Sequence, residues 1–197
     1  MCLHVPRSGE TVAAACVFTC PARERVQLEA MLRRHERIQF PQAILFATTV
    51  TAVRGRWFIR PSLCRAVLEK FEECRASLGM DCLGYVLMPD HLHALVRQTA
   101  DGDQVSELMA RFKRKTAFKC RPDGYPAGSL WNRRFDAVPV PGNDAAHTKL
   151  KYMHENPVKA GLAAVPEAYP WSSASDYQET GHGIVLVARE LIAPLQG

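Results

Sequence analysis

Apolar and polar positions alternate along this chain with two periods, and the places where the period changes divide it into elements. From Ile44 to Thr51 the run ILFATTVT is apolar and rich in β-branched residues, which predicts a buried strand. Pro61 and Ser62 open a segment whose apolar positions Leu63, Val67, Phe71, Cys74 and Leu78 recur at helical spacing. A helix is predicted there, with Ser62 as its cap and Gly79 as its stop. Cys82–Met88 and His91–Arg97 read as strands with only Pro89 and Asp90 between them, the spacing of a hairpin. Val105–Lys119 returns to the helical period, with Leu108, Phe112 and Thr116 inward. Beyond the loop composition RPDGYPAGS, Arg134–Val140 reads as a fourth strand, at a sheet edge because Pro139 lacks a ladder donor. Asn143 or Asp144 is expected to cap a third helix that ends close to Asn156 and Pro157.

The resulting order, β-α-β-β-α-β with an appended helix, is the split βαβ arrangement. It predicts an α+β, ferredoxin-like fold (βαββαβ) with an antiparallel sheet and both main helices on one face. Residues 1–38 are expected to be an N-terminal extension, 39–177 the domain, and 178–197 a C-terminal tail. That scaffold serves enzymes and RNA binders alike, so function has to be read from particular residues.

Composition narrows the class. At 197 residues, 47% apolar and 23% charged, the chain is long enough to bury a core. A net charge of +5 is a mild bias, but its distribution is uneven. Arg111, Lys113, Arg114, Lys115, Lys119 and Arg121 fall within eleven residues that hold no acid. Arg111, Lys115 and Lys119 lie four apart and predict a cationic ridge along a helix. Seven scattered cysteines with no CxxC pair fit free thiols in a reducing compartment better than a disulfide or zinc framework. The apolar patch Thr11–Cys20 lacks the basic lead of a signal peptide, and no run reaches transmembrane length. A cytoplasmic location is expected.

Two stretches carry candidate chemistry. In YVLMPDHLHALVR, His91 and His93 sit on alternate residues of a strand, so both rings leave on one face while Leu92 leaves on the other. Paired histidines commonly do no more than pack. The alternative is a pair of metal ligands on a rigid mount. In LKYMHENPVKAGL, Tyr152 and Asn156 are one helical turn apart and share a face. Tyr152 reads either as a boundary tyrosine over the core or as a nucleophile; Asn156 reads either as a helix terminator or as an oxygen ligand.

Five segments, YVLMPDHLHALV, ARFKRKTAF, LWNRRFDAV, YMHENPVKAGL and YPWSSASDY, occur here in one order. In that order the chain resembles the REP-associated tyrosine transposases, within the one-tyrosine branch of the HUH single-strand nucleases. The resemblance runs from about Phe40 to Tyr177. It implies that His91 and His93 hold Mg²⁺ or Mn²⁺, that Tyr152 is the nucleophile, and that Asn156 completes the metal site. It implies an enzyme that cleaves and rejoins single-stranded DNA near REP-like hairpins through a 5′-phosphotyrosine, acting as a monomer or homodimer. Arg111, Lys113, Arg114, Lys115, Lys119 and Lys159 would neutralise DNA phosphates. Trp131 would stack on a base, and Arg134 would lie near the DNA path. One departure stands out: the family pattern commonly has His after Phe-Asp, where this chain has Ala137. The alternative reading is therefore a catalytically silent ferredoxin-like protein that binds DNA hairpins. A metal-dependent phosphohydrolase without DNA specificity is a third, and leaves Tyr152 without a role.

Overall fold

A computed structural model describes residues 41–120, 128–178 and 183–192. The expected N-terminal extension and most of the RPDGYPAGS loop lie outside the described residues. The elements follow in the order β1 (Ile44–Val50), α1 (Pro61–Ser77), β2 (Asp81–Met88), β3 (His91–Arg97), α2 (Gln104–Lys119), β4 (Asp136–Pro139) and α3 (Gly142–Lys159). The strands form one sheet in the order β2-β3-β1-β4, with every neighbouring pair antiparallel. This is the ferredoxin-like topology that the element order predicts.

The pleat sorts the chain onto two faces. Leu45, Ala47 and Thr49 of β1 and Leu92, Ala94 and Val96 of β3 are buried on the side covered by α1 and α2. There Phe71 and Phe112 meet edge to face at 5.6 Å and join the two helices. Phe46, Val86, Met88 and Leu95 point the other way, into a core closed by Ala146, Leu150 and Met153 of α3. The third helix thus lies alone on the opposite face. Gly84 of β2 makes this close approach possible, because a Cβ there would lie 2.5 Å from Met153 Cε.

The helix ends depart from the sequence expectations in three places. Ser62 does not cap α1: Arg60 takes that position and Pro61 is the first helical residue, where a missing N–H costs nothing. Gly79 does end the helix, in the left-handed region at φ +63. In α2 the Asp103 carboxylate accepts from Ser106 N at 3.0 Å and is the cap. Neither Asn143 nor Asp144 caps α3; Pro141 precedes it without a side-chain cap, and the helix runs through Pro157 to Lys159. Pro157 withholds one donor from the Met153 carbonyl, only a turn before the helix ends at Ala160.

β4 is shorter than expected, since Arg134 and Phe135 precede it. The segment expected to be a tail is in its described part a piece of the fold. Ala188 N donates to Cys82 O at 2.8 Å, and Leu87 N donates to Trp171 O at 2.8 Å. With the bridges Cys82–Val187 and Val86–Ser172, these segments cover the outer edge of β2. Cys64, Cys74, Cys82 and Cys120 are buried free thiols. No described helix is long and apolar enough to cross a membrane.

Candidate active site

The β2–β3 hairpin presents the two histidines. His91 opens β3 opposite Val50 and Met88, and His93 follows opposite Thr48 and Val86. Both rings lie on the α3 face, with centroids 4.6 Å apart. Each is held through Nδ1. Asp90 Oδ1 is 2.6 Å from His91 Nδ1, and Thr48 Oγ1 is 2.8 Å from His93 Nδ1. A carboxylate only accepts, so His91 donates from Nδ1, which turns Nε2 to the open side of the ring. Thr48 can accept from His93 in the same way. Imidazoles anchored at one nitrogen and open at the other are the usual form of metal-ligating histidine.

His93 is 7% exposed and stacks on Phe46 at 5.0 Å. Burial, and then the charges of His91 and Lys149, pull its pKa down to about 3 against the opposing pull of Asp90. The ring is therefore neutral at pH 7, with a lone pair available. Asp90 also faces Arg54, at 3.8 Å through its other oxygen.

Helix α3 crosses the same face and brings Tyr152 to the pair. The Tyr152 ring is 5.9 Å from His93 and 6.1 Å from Phe46, centroid to centroid. It is 46% exposed, with one side against the core residue Phe46 and the other open to solvent. Asn156 is half-buried one turn further along the same helix. Among the described residues no group of three or more His, Cys, Asp or Glu side chains could hold a metal by itself. Two imidazole nitrogens on one rigid face fit an ion that keeps open positions for oxygen ligands from outside the protein.

The residues expected to meet DNA are distributed less simply. Trp131 is 1% exposed, packs on Phe58 and Phe112 at 5.1 and 5.3 Å, and donates to Thr116 Oγ1 at 2.7 Å. It is a core residue, and its ring has no free face for a base. The Lys113 ammonium is also committed, donating to the carbonyls of Asn132 and Arg134, each at 2.9 Å. Arg111 pairs with Glu107 at 2.6 Å, and Lys115 pairs with Glu73 of α1. The ridge they form belongs to the helix-covered face, across the sheet from the histidines. Lys159 pairs with Glu155 at 2.7 Å. Arg114 and Arg134 are exposed, and the Lys119 side chain lies outside the described residues.

Sequence reasoning missed Thr48, Asp90 and Arg54. Asp90 reads as a turn residue, although its place directly before His91 was available as a signal. Thr48 gives none, because only the register of β1 on β3 brings it to His93.

Comparisons with known proteins point to one family of transposases. The family described as "Transposase IS200 like" matches residues 45–156, from β1 through Asn156. A Haemophilus influenzae protein named "Putative REP-associated tyrosine transposase" is 28% identical over 96 residues, covering 44% of this chain and 54% of that protein. The chain thus spans about half the length of that curated relative. The solved structure of a REP-associated tyrosine transposase bound to a REP hairpin shares the fold, with a TM-score of 0.56 at 16% identity over 79% of this chain and 92% of the other. With more than half its length matched, including both histidines, Tyr152 and Asn156, this chain belongs to the IS200-like transposase family.

Proposed function

We propose that this protein is a metal-dependent single-strand DNA transposase that cuts and rejoins DNA beside REP-like hairpins, with Tyr152 as the nucleophile. The observation that carries the reading is the shared face: two anchored imidazoles and an exposed phenol, within 6 Å of His93, above one patch of sheet. The hairpin-bound structural neighbour supports the choice of DNA form.

His91 and His93, with Asn156 at the margin, would hold Mg²⁺ or Mn²⁺; when bound, the ion supplies Lewis-acid polarisation of the scissile phosphate. The chain supplies the rest. Asp90 and Thr48 fix the imidazole orientations. Tyr152 Oη attacks phosphorus in line; the new P–Oη bond replaces the P–O3′ bond, the phenolic proton is lost, and O3′ leaves as a hydroxyl after taking up a proton. The product is a 5′-phosphotyrosine that retains the phosphodiester energy, and the reverse attack by a 3′-OH rejoins the strand.

The silent-binder reading rested on Ala137. Ala137 pairs with Ala47 in the β1–β4 register, so its side chain faces the side of the sheet away from the histidines. A His at this position would not enter the site, and its absence takes no group from it. The test is incubation with a REP-like single-stranded hairpin and Mn²⁺, read as a protein–DNA band on a denaturing gel. Tyr152→Phe is expected to fold, bind and give no band. Wild-type amounts of adduct from that variant would overturn the assignment.

A further inference from the structure

On the histidine face, β1 and the segment leading into β4 enclose an open groove of about 470 Å³ lined by Thr48, Val50, Arg54, Arg133, Arg134 and Asp136. Thr48 is the residue that holds His93, and Val50 is paired with His91, so the groove begins at the candidate site. Arg133 and Arg134 are exposed, and among the described residues neither forms an ion pair. Arg54 reaches the groove from a turn in which Val53 and Arg54 both take left-handed φ, at 56 and 53. A β-branched residue rarely adopts that conformation, so this turn carries a local backbone cost. Asp136 is the opposing charge in the groove, on the strand that forms its far wall.

The arginine segment is held from behind. Trp131 is sunk into the helix-side core, and Asn132 N donates to Val50 O at 2.9 Å. From α2, the Lys113 ammonium reaches three consecutive carbonyls, those of Asn132, Arg133 and Arg134, at 2.9, 3.4 and 2.9 Å. It also lies 5.4 Å from the Phe135 ring centroid. Burial draws its pKa to about 8, with Asp136 opposing, which leaves it protonated at pH 7. A half-buried ammonium satisfied by consecutive carbonyls is a clamp on backbone conformation. It lies below the segment whose side chains carry the free positive charge.

We propose that this groove, and not the basic helix on the opposite face, seats the phosphates of the single strand entering the site, with Lys113 as the positioning residue that fixes Arg133 and Arg134. The inference rests on the DNA-processing reading above. Its test needs neither metal nor cleavage, so the two fail separately.

The probe is a fluorescent 20-mer of thymidine bound by full-length Tyr152→Phe protein in chelator, titrated at several KCl concentrations. Each lost phosphate contact on a single strand flattens the log–log salt slope by ~0.7. The pair Arg133→Ala and Arg134→Ala is expected to flatten it by about 1.4, while Arg111→Ala with Lys115→Ala leaves it unchanged. Lys113→Met is expected to weaken binding in the parent and to add nothing in the double-alanine background, and Lys113→Arg to restore part of the loss. A flattened slope from the helix pair with an unchanged slope from the loop pair would overturn the groove. An equal Lys113→Met loss in both backgrounds would overturn the positioning role. The loop arginines are exposed, so their variants decide the groove even if Lys113→Met does not fold.

Discussion

Gly84 marks where β2 passes beneath α3, and adding one methyl group there tests how the nucleophile is held. In Gly84→Ala the new Cβ lies 2.5 Å from Met153 Cε and closer still to Leu150 Cδ2. Carbon atoms rest at about 3.5–4.0 Å, so the overlap is roughly 1 Å or more. Both obstructing atoms are side-chain tips, but Leu150 and Met153 are themselves buried against Phe46, Val86 and Ile192 and have little room to rotate. Overpacking of this kind costs about 1–3 kcal/mol. For a domain of this size that lowers Tm by about 2–4 °C per kcal/mol. The remaining relief is for α3 to lift, which carries Tyr152 away from His93. A displacement near 1 Å can cost on the order of 100-fold in rate. Thermal melts should therefore show the loss of stability, and single-turnover adduct formation should fall by ~10–100-fold with hairpin affinity unchanged. Met153→Ala in the same chain removes one obstruction, so the double variant should be more stable than the sum of the single losses by about 0.5–3 kcal/mol. A Gly84→Ala protein that melts and cleaves like wild type, with additive effects in the double variant, would refute this account of helix docking.

Thr48→Val removes the oxygen that orients His93 while keeping its shape, and calorimetry with Mn²⁺ should show metal affinity reduced by ~10–100-fold with the fold intact. His154 is half-buried against Ser173, and desolvation there draws its pKa to about 4, below the ~6.5 of an unfolded histidine. Its neutral form is favoured in the folded state. The contribution is therefore complete above pH 6.5 and is lost as pH falls towards 4, because the unfolded chain then binds the extra proton. His154→Gln should flatten the decline of Tm between pH 6.5 and 4 relative to wild type; parallel declines would reject that origin.

What the sequence made legible was periodic. The strands β1, β2 and β3 stand out because β-branched and apolar residues alternate or run together between turn residues, and the alternation alone places His91 and His93 on one face. The helical spacing of Leu108, Phe112 and Thr116 likewise identified the inward side of α2, where all three are buried. What stayed hidden depends on partners distant in sequence. Thr48 meets His93 across 45 residues through strand register. The apparent cationic ridge is paired in part with Glu73, which arrives from a different helix. Trp131 misled because it stands in an irregular, basic stretch where no period tells inward from outward. Lys113 misled because helical spacing puts it beside the inward positions without showing that its ammonium reaches the carbonyls of Asn132 and Arg134.

The covering of β2 has a consequence for how the chain is made. Every residue assigned to the chemistry has been synthesised once Asn156 is added, yet the outer edge of β2 is closed by Trp171, Ser172, Val187 and Ala188. Synthesis proceeds from the N-terminus at about 5–20 residues per second. During that interval an eight-residue, almost wholly buried strand has one row of backbone donors and acceptors without its native cover. The nascent protein thus carries a complete set of site residues before it has a protected sheet. A chain terminated soon after Asn156 would hold every catalytic group and lack the segments that keep neighbouring chains from pairing with it.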